Sequence, residues 1–229
     1  MTLRELFSKL AAGELSNLAM ADGGVLQQHA LPAVVDYTNE ALLRLHTRFP
    51  LNEKDVLVEM VEGVTNYHLT KAHSLANSEA TGTPYLIDTA DPFLGDVIRV
   101  VRVYNTYGIE LPLNDEEDRN SVFTPQPKIL QVPRPIAGQA LDVVYRAKHV
   151  TLTVDALDSE IDIPDVLEPA LKLYIGHKVY NAMNTQEAQM AAANRYAQYE
   201  AICQEVVDQD VIGATISNTN TKFHKRGWV

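Results

Sequence analysis

Apolar and polar residues follow two different periods along this chain, and the switches between them divide it. Near the N-terminus Leu3, Leu6, Phe7 and Leu10 recur at i, i+3, i+4 and i+7, which predicts a short amphipathic helix with Gly13 as its stop. Thr2-Leu3-Arg4-Glu5 provides the spacing of a capping box at its start. Residues 21–30, with Asp22-Gly23-Gly24, read as a loop. A second helix is predicted from Leu31-Pro32 to about Phe49, with Val34, Val35, Thr38, Ala41, Leu42 and Leu45 on or beside one stripe and Pro50 ending it.

From Asp55 the period drops to two. Val56, Val58 and Met60 alternate with Leu57, Glu59 and Val61, and Glu62-Gly63 turns into Val64-Thr65-Asn66-Tyr67-His68-Leu69, which predicts a β-hairpin. Residues 97–104, 128–132 and 141–148 carry further strand patterns. The acidic run Asn114-Asp115-Glu116-Glu117-Asp118 and the prolines at 125, 127, 133 and 135 mark loops between them, because like charges repel and proline cannot donate to a ladder.

The helical period returns for residues 165–207. Leu167, Leu171, Ile175, Val179 and Met183 step by four, and Met190, Ala193, Ala197 and Ala201 continue the face. Unbroken, such a run of roughly 40 residues at about 1.5 Å rise would span about 60 Å, more than a domain of this size needs for its own core. Asn184-Thr185-Gln186-Glu187 repeats the capping spacing, so a break there is the alternative. No Asp or Glu follows Asp210, and the chain closes on Lys222, Phe223, His224, Lys225, Arg226, Gly227, Trp228 and Val229. Aromatic anchors flanked by cations suit docking on another protein.

The fold class expected is α+β: a helical bundle from the N-terminal helices and a long C-terminal helix, with a β-rich insertion and an extended C-terminal tail. The expected divisions are 1–54 for the N-terminal helices, 55–160 for the insertion, 161–208 for the long helix packing on the first helices, and 209–229 for the docking tail.

Composition narrows the function. At 46% hydrophobic and 21% charged, 229 residues can bury a sizeable core. The formal charge of −11, from 30 acids and 19 bases, argues against gripping nucleic acid, since phosphate neutralisation needs a field of the opposite sign. Cys203 lies among helical apolar positions and reads as a buried hydrophobe in a reducing compartment. Residues 1–10 lack a continuous apolar segment and no run of 18 apolar residues occurs, so neither a secretory leader nor a membrane span is expected.

Candidate chemistry is sparse. The phosphate-cradling, nucleophile-elbow and zinc-protease signatures are missing. Asp158-Ser159-Glu160-Ile161-Asp162 alternates oxygens as a calcium loop does, yet Ile163 stands where glycine is needed and Pro169 where glutamate is needed. His68 and His73 are five apart and the other histidines are scattered, so no metal site is expected. Tyr174, Tyr180, Tyr196 and Tyr199 read as packing or interface anchors. No catalytic residue and no cofactor is assigned.

The stretches Ile163-Pro164-Asp165-Val166-Leu167-Glu168-Pro169-Ala170-Leu171, Tyr174-Ile175-Gly176-His177-Lys178-Val179-Tyr180 and Ala192-Ala193-Asn194-Arg195-Tyr196, with the ending from Phe223 to Val229, resemble the head-to-tail adaptor proteins of tailed bacteriophages, especially short-tailed ones. Val35-Asp36-Tyr37-Thr38-Asn39-Glu40-Ala41-Leu42 is similar to their early helix. The resemblance covers both helical ends. It implies a non-enzymatic virion protein at the capsid vertex, assembled in the host cytoplasm, forming a ring, usually of twelve copies, below the portal. The ring continues the channel through which double-stranded DNA passes without specific binding, and it joins the portal to a tail tube or nozzle protein. Carried onto this chain, the resemblance makes Lys222 to Val229 the portal-docking arm, and Leu167, Leu171, Tyr174, Ile175, Val179, Met183, Met190 and Tyr196 the subunit-packing helix. The alternative reading is a peripheral tail component whose β-sandwich recognises glycan or protein.

Overall fold

A computed structural model describes residues 1–77 and 82–212. Helix α1 (Leu3–Ala12) starts as its capping box demands: Thr2 Oγ1 accepts from the Glu5 amide at 3.2 Å and the Glu5 carboxylate accepts from the Thr2 amide at 2.9 Å. Two further amides of its first turn, on Leu3 and Arg4, donate to the carbonyls of Ser159 and Leu157. A distant segment thus satisfies donors that a helix start leaves open.

The loop at 21–30 contains a small hairpin, β1 (Ala21–Asp22) with β2 (Val25–Leu26). Gly23 and Gly24 both have positive φ, 56° and 79°, the two-residue turn that a tight hairpin needs. Helix α2 (Leu31–Arg48) follows with Pro32 in its first turn, and Val34, Val35, Thr38, Ala41, Leu42 and Leu45 are all buried. Phe49 is extended and also buried, and Pro50 forbids another turn.

Seven strands form the middle of the chain. β3 (Glu53–Glu59), β5 (Leu86–Ile87), β6 (Val97–Tyr104) and β9 (Ala140–Ala147) make an antiparallel sheet in the order β5-β3-β9-β6. β4 (Asn66–His68), β8 (Ile129–Gln131) and β7 (Phe123–Gln126) make a second in the order β4-β8-β7. One apolar cluster is shared by both, with Val58, Val103 and Val143 from the first and Tyr67 and Leu130 from the second fully buried.

The hairpin expected across Glu62-Gly63 does not form, because β3 and β4 lie in different sheets. The turn itself is present: Gly63 has φ 77° and the Val64 amide donates to the Val61 carbonyl. β9, however, pairs with all seven residues of β3, and the Tyr67 hydroxyl accepts from the Val61 amide in the core, which draws β4 across to β8. A seven-residue ladder outweighs the short local one.

The C-terminal helical run is divided. After the turn Asp165–Leu167 it forms α3 (Glu168–Asn181) and α4 (Gln186–Asp208). Asn184 takes a left-handed conformation with φ 53°, and Thr185 caps the new helix by accepting from the Ala188 amide. α4 then folds back along α3, so the 60 Å rod is replaced by a helical hairpin. α1, α2, α3 and α4 enclose a second apolar cluster, to which the returning segment adds Leu152 and Ile161.

The two cores meet at a small joint. The Arg146 guanidinium donates to the Thr47 carbonyl at 3.0 Å, and the rings of His46 and His149 meet edge to face at 5.7 Å.

Candidate docking surfaces

The helical hairpin accounts for most of the residues expected to pack subunits. Leu167, Leu171, Tyr174, Ile175 and Val179 are at most 2% exposed, all inside the chain's own core. Met183 and Met190 are exposed, Tyr196 is half-buried, and Ala193, Ala197 and Ala201 face solvent beside Met190. A period of four identifies a ridge that is buried; it does not say whether the same chain or a neighbour buries it.

Polar groups fasten the hairpin to the rest of the base. Gly176 has no side chain where Arg195 crosses: a Cβ there would lie 3.1 Å from Arg195 Cδ. Arg195 passes this notch to meet Glu14 at 2.8 Å, with its guanidinium 4.0 Å from the Tyr180 ring centre. The Tyr174 hydroxyl donates to Glu40 at 2.6 Å, and Lys178 pairs with the same carboxylate at 2.8 Å. Burial works against the Glu40 charge, but the Lys178 and Tyr174 hydrogen bonds outweigh it and hold the carboxyl below its usual range. Arg48 meets Glu200 at 2.6 Å. Burial pushes the Cys203 thiol up, which fits the inert apolar role expected for it.

All seven cations on the four helices are therefore engaged. Arg4, Lys9, Arg48, Lys172, Lys178 and Arg195 sit in ion pairs, and Arg44 lies over the Tyr174 ring. The excess negative charge of the base is left at its surface.

The β module differs. At its end away from the helices a groove of about 620 Å³ lies between residues 105–112, 119–122 and 132–141, with Met60 and Leu141 in its floor. Its rim exposes Ile109 at 61% and Ile136 at 56%, and the neighbouring Tyr107 at 81%. Arg119 and Arg134 also line it, and neither makes an ion pair among the described residues. Sequence reading missed this groove; proline spacing and isolated arginines in separate loops give no sign that the fold brings them together.

The remaining candidates lie in exposed turns and local packing contacts. The acidic loop is exposed and held by turns in which Asp115 and Asp118 accept from the amides of Glu117 and Asn120. Asp158, from the failed calcium loop, pairs with Arg4. His68 and His73 stack at 6.1 Å, and His73 also stacks on Tyr85 at 4.5 Å. Among the described residues no group of three His, Cys, Asp or Glu side chains could hold a metal ion, and no helix is long and apolar enough to cross a membrane. The residues expected to form the docking arm, Lys222 to Val229, lie outside the described residues.

A helical base with its cations locked in place, carrying a β module with an open, apolar and cationic tip, is built to hold surfaces for other proteins. Consistent with that, the sequence matches the SU10 adaptor protein family over residues 1–220, and the chain belongs to this family. No curated protein matches it. Membership makes it a structural adaptor of a bacteriophage, a virion component that interacts with portal and tail components.

Proposed function

We propose that the protein forms a ring, of twelve copies on the family resemblance, below the portal, where it continues the DNA channel and links capsid to tail. The family match, which spans both the helical base and the β module, carries this reading. On it, the base makes the ring, and the outward face of α4, with Met190 and the exposed alanines, together with Met183 in the turn before it, is the seam between neighbours. The buried stripe from Leu167 to Val179 keeps that face rigid. The formal charge of −11 suits a passage that releases a polyanion instead of holding it. Residues 222–229 insert into the portal, their cations and Trp228 supplying the anchor.

The test is to mix the purified chain with its cognate portal and image the product by electron microscopy. A coaxial ring on the portal is expected; two folded proteins that stay apart would refute the proposal. Deleting residues 219–229 should leave the melting temperature unchanged and abolish portal attachment. Attachment at the wild-type level would remove the arm from the mechanism.

A further inference from the structure

The strand directions give the β module a near end and a far end. β3 leaves α2 directly and β9 returns to the joint through Arg146, so their other ends, at Glu59 and Ala140, stand roughly 20 Å from the base at about 3.3 Å per residue. The groove between Arg119 and Arg134 is at this far end, beside Met60 and Gln139.

Three properties of the groove point to a protein ligand of particular chemistry. Its floor is the edge of the β core: Val122, Val132 and Leu141 are nearly inaccessible there, while Ile109 and Ile136 above them stay more than half exposed. Apolar side chains so placed gain only when a partner covers them. The rim contains Pro112, Pro133 and Pro135, whose fixed φ and missing amide hydrogens keep it stiff and give an incoming strand little backbone to pair with. Recognition must then come from side chains. Finally, Arg119 and Arg134 are without ion pairs among the described residues, in a chain where every helical cation is engaged. Free guanidinium groups flanking an apolar trough complement carboxylates.

The neighbouring charges limit the ligand further. Asp115, Glu116, Glu117 and Asp118 precede Arg119, and Glu110 lines the groove. They repel a phosphate backbone or a dense acidic run, and tolerate a segment with one or two carboxylates set among apolar residues. We propose that this groove receives the tail-side partner of the adaptor as an extended protein segment, apolar side chains against Met60, Ile109 and Ile136 and carboxylates on Arg119 and Arg134. The proposal rests on the adaptor reading above and deepens it by naming the surface.

The test measures binding of the full chain to the purified tail tube or nozzle protein of the same virion, with portal attachment followed in parallel. Arg119→Glu with Arg134→Glu, and separately Ile109→Ser with Ile136→Ser, should each weaken tail binding about tenfold or more, leaving portal attachment and melting temperature unchanged. Wild-type binding should weaken with added salt, and Arg119→Lys with Arg134→Lys should retain most of it. Arg119→Ser and Arg134→Ser, made singly, carry the same test if the double reversal does not fold. Tail binding unaffected by all of these variants overturns the proposal. So does a change confined to self-association, which would make the groove a contact between copies. A wild-type chain that attaches to the portal but not to the tail protein overturns the groove assignment and leaves the adaptor reading standing, whereas one that binds neither overturns both.

Discussion

The helical base and the β module bury comparable apolar cores yet treat charge in opposite ways. The base uses all its helical cations on its own carboxylates and aromatic rings, and five of its ion pairs join segments more than 130 residues apart in sequence. The β module uses Lys54 on Asp96 and Arg102 on Glu53 near the joint, then leaves Arg119 and Arg134 without such partners at its far end. Ion pairs at a surface contribute little stability, so what the base gains is mostly register between its helices. What the module keeps is an unspent capacity to recognise. The difference teaches that the two parts are separate in how they use charge: the base commits its cations to holding its own helices in register, and the far end of the module leaves two arginines uncommitted.

The strongest test of that separation is a pair of core truncations. Leu171→Ala in the base and Leu130→Ala in the module each remove a fully buried side chain and should each cost about 2–5 kcal/mol. If the cores are separate, calorimetry should show each substitution lowering a different transition. A single transition shifted equally by both would mean that the joint couples them tightly.

The joint has its own signature in acid. His46 is 2% exposed, its ring nitrogens have no well-formed hydrogen bond, and burial together with His149 lowers its pKa to about 4. Arg146 adds to this and Asp162 opposes it. The unfolded chain takes up this proton near the ordinary value of about 6.5, so between there and about 4 the unfolded state binds more protons. Stability therefore falls as pH drops through that window, by up to about 3 kcal/mol from this group. His46→Leu should flatten this part of the pH dependence in denaturant titrations; an unchanged slope would locate the acid sensitivity elsewhere.

Smaller effects distinguish hairpin from rod. Asn184→Val places a β-branched residue in the left-handed region and should cost about 1–2 kcal/mol, while Asn184→Gly should be tolerated. Equal stability of the two variants would contradict the reversal at that point. Thr2→Ala removes the cap oxygen of α1 and should cost about 1 kcal/mol in thermal melts, felt by the base alone.

Much of the fold was legible from period and punctuation. The capping box at Thr2, the stripe of α2 and the strands at 97–104 and 141–148 lie close to where the pattern places them, because each depends on neighbours in sequence. The hairpin at Glu62-Gly63 was misread because alternation marks a strand without naming its partner, and β9 enters from about 80 residues further on. The break at Asn184 was left open by the sequence, since the capping spacing at 184–187 competes with an uninterrupted apolar ridge. The arginine groove was not legible at all: Arg119 and Arg134 look like ordinary loop cations until the fold shows which carboxylates they do not reach.

The reversal at Asn184 also governs how the molecule bears load. α4 returns along α3 until its last turns lie beside residues 165–167, and Ile212 is seated against the helical core. Tension drawn through the chain beyond Ile212 and along the α4 axis therefore acts as shear across the whole α3–α4 seam, where many side-chain contacts must yield together.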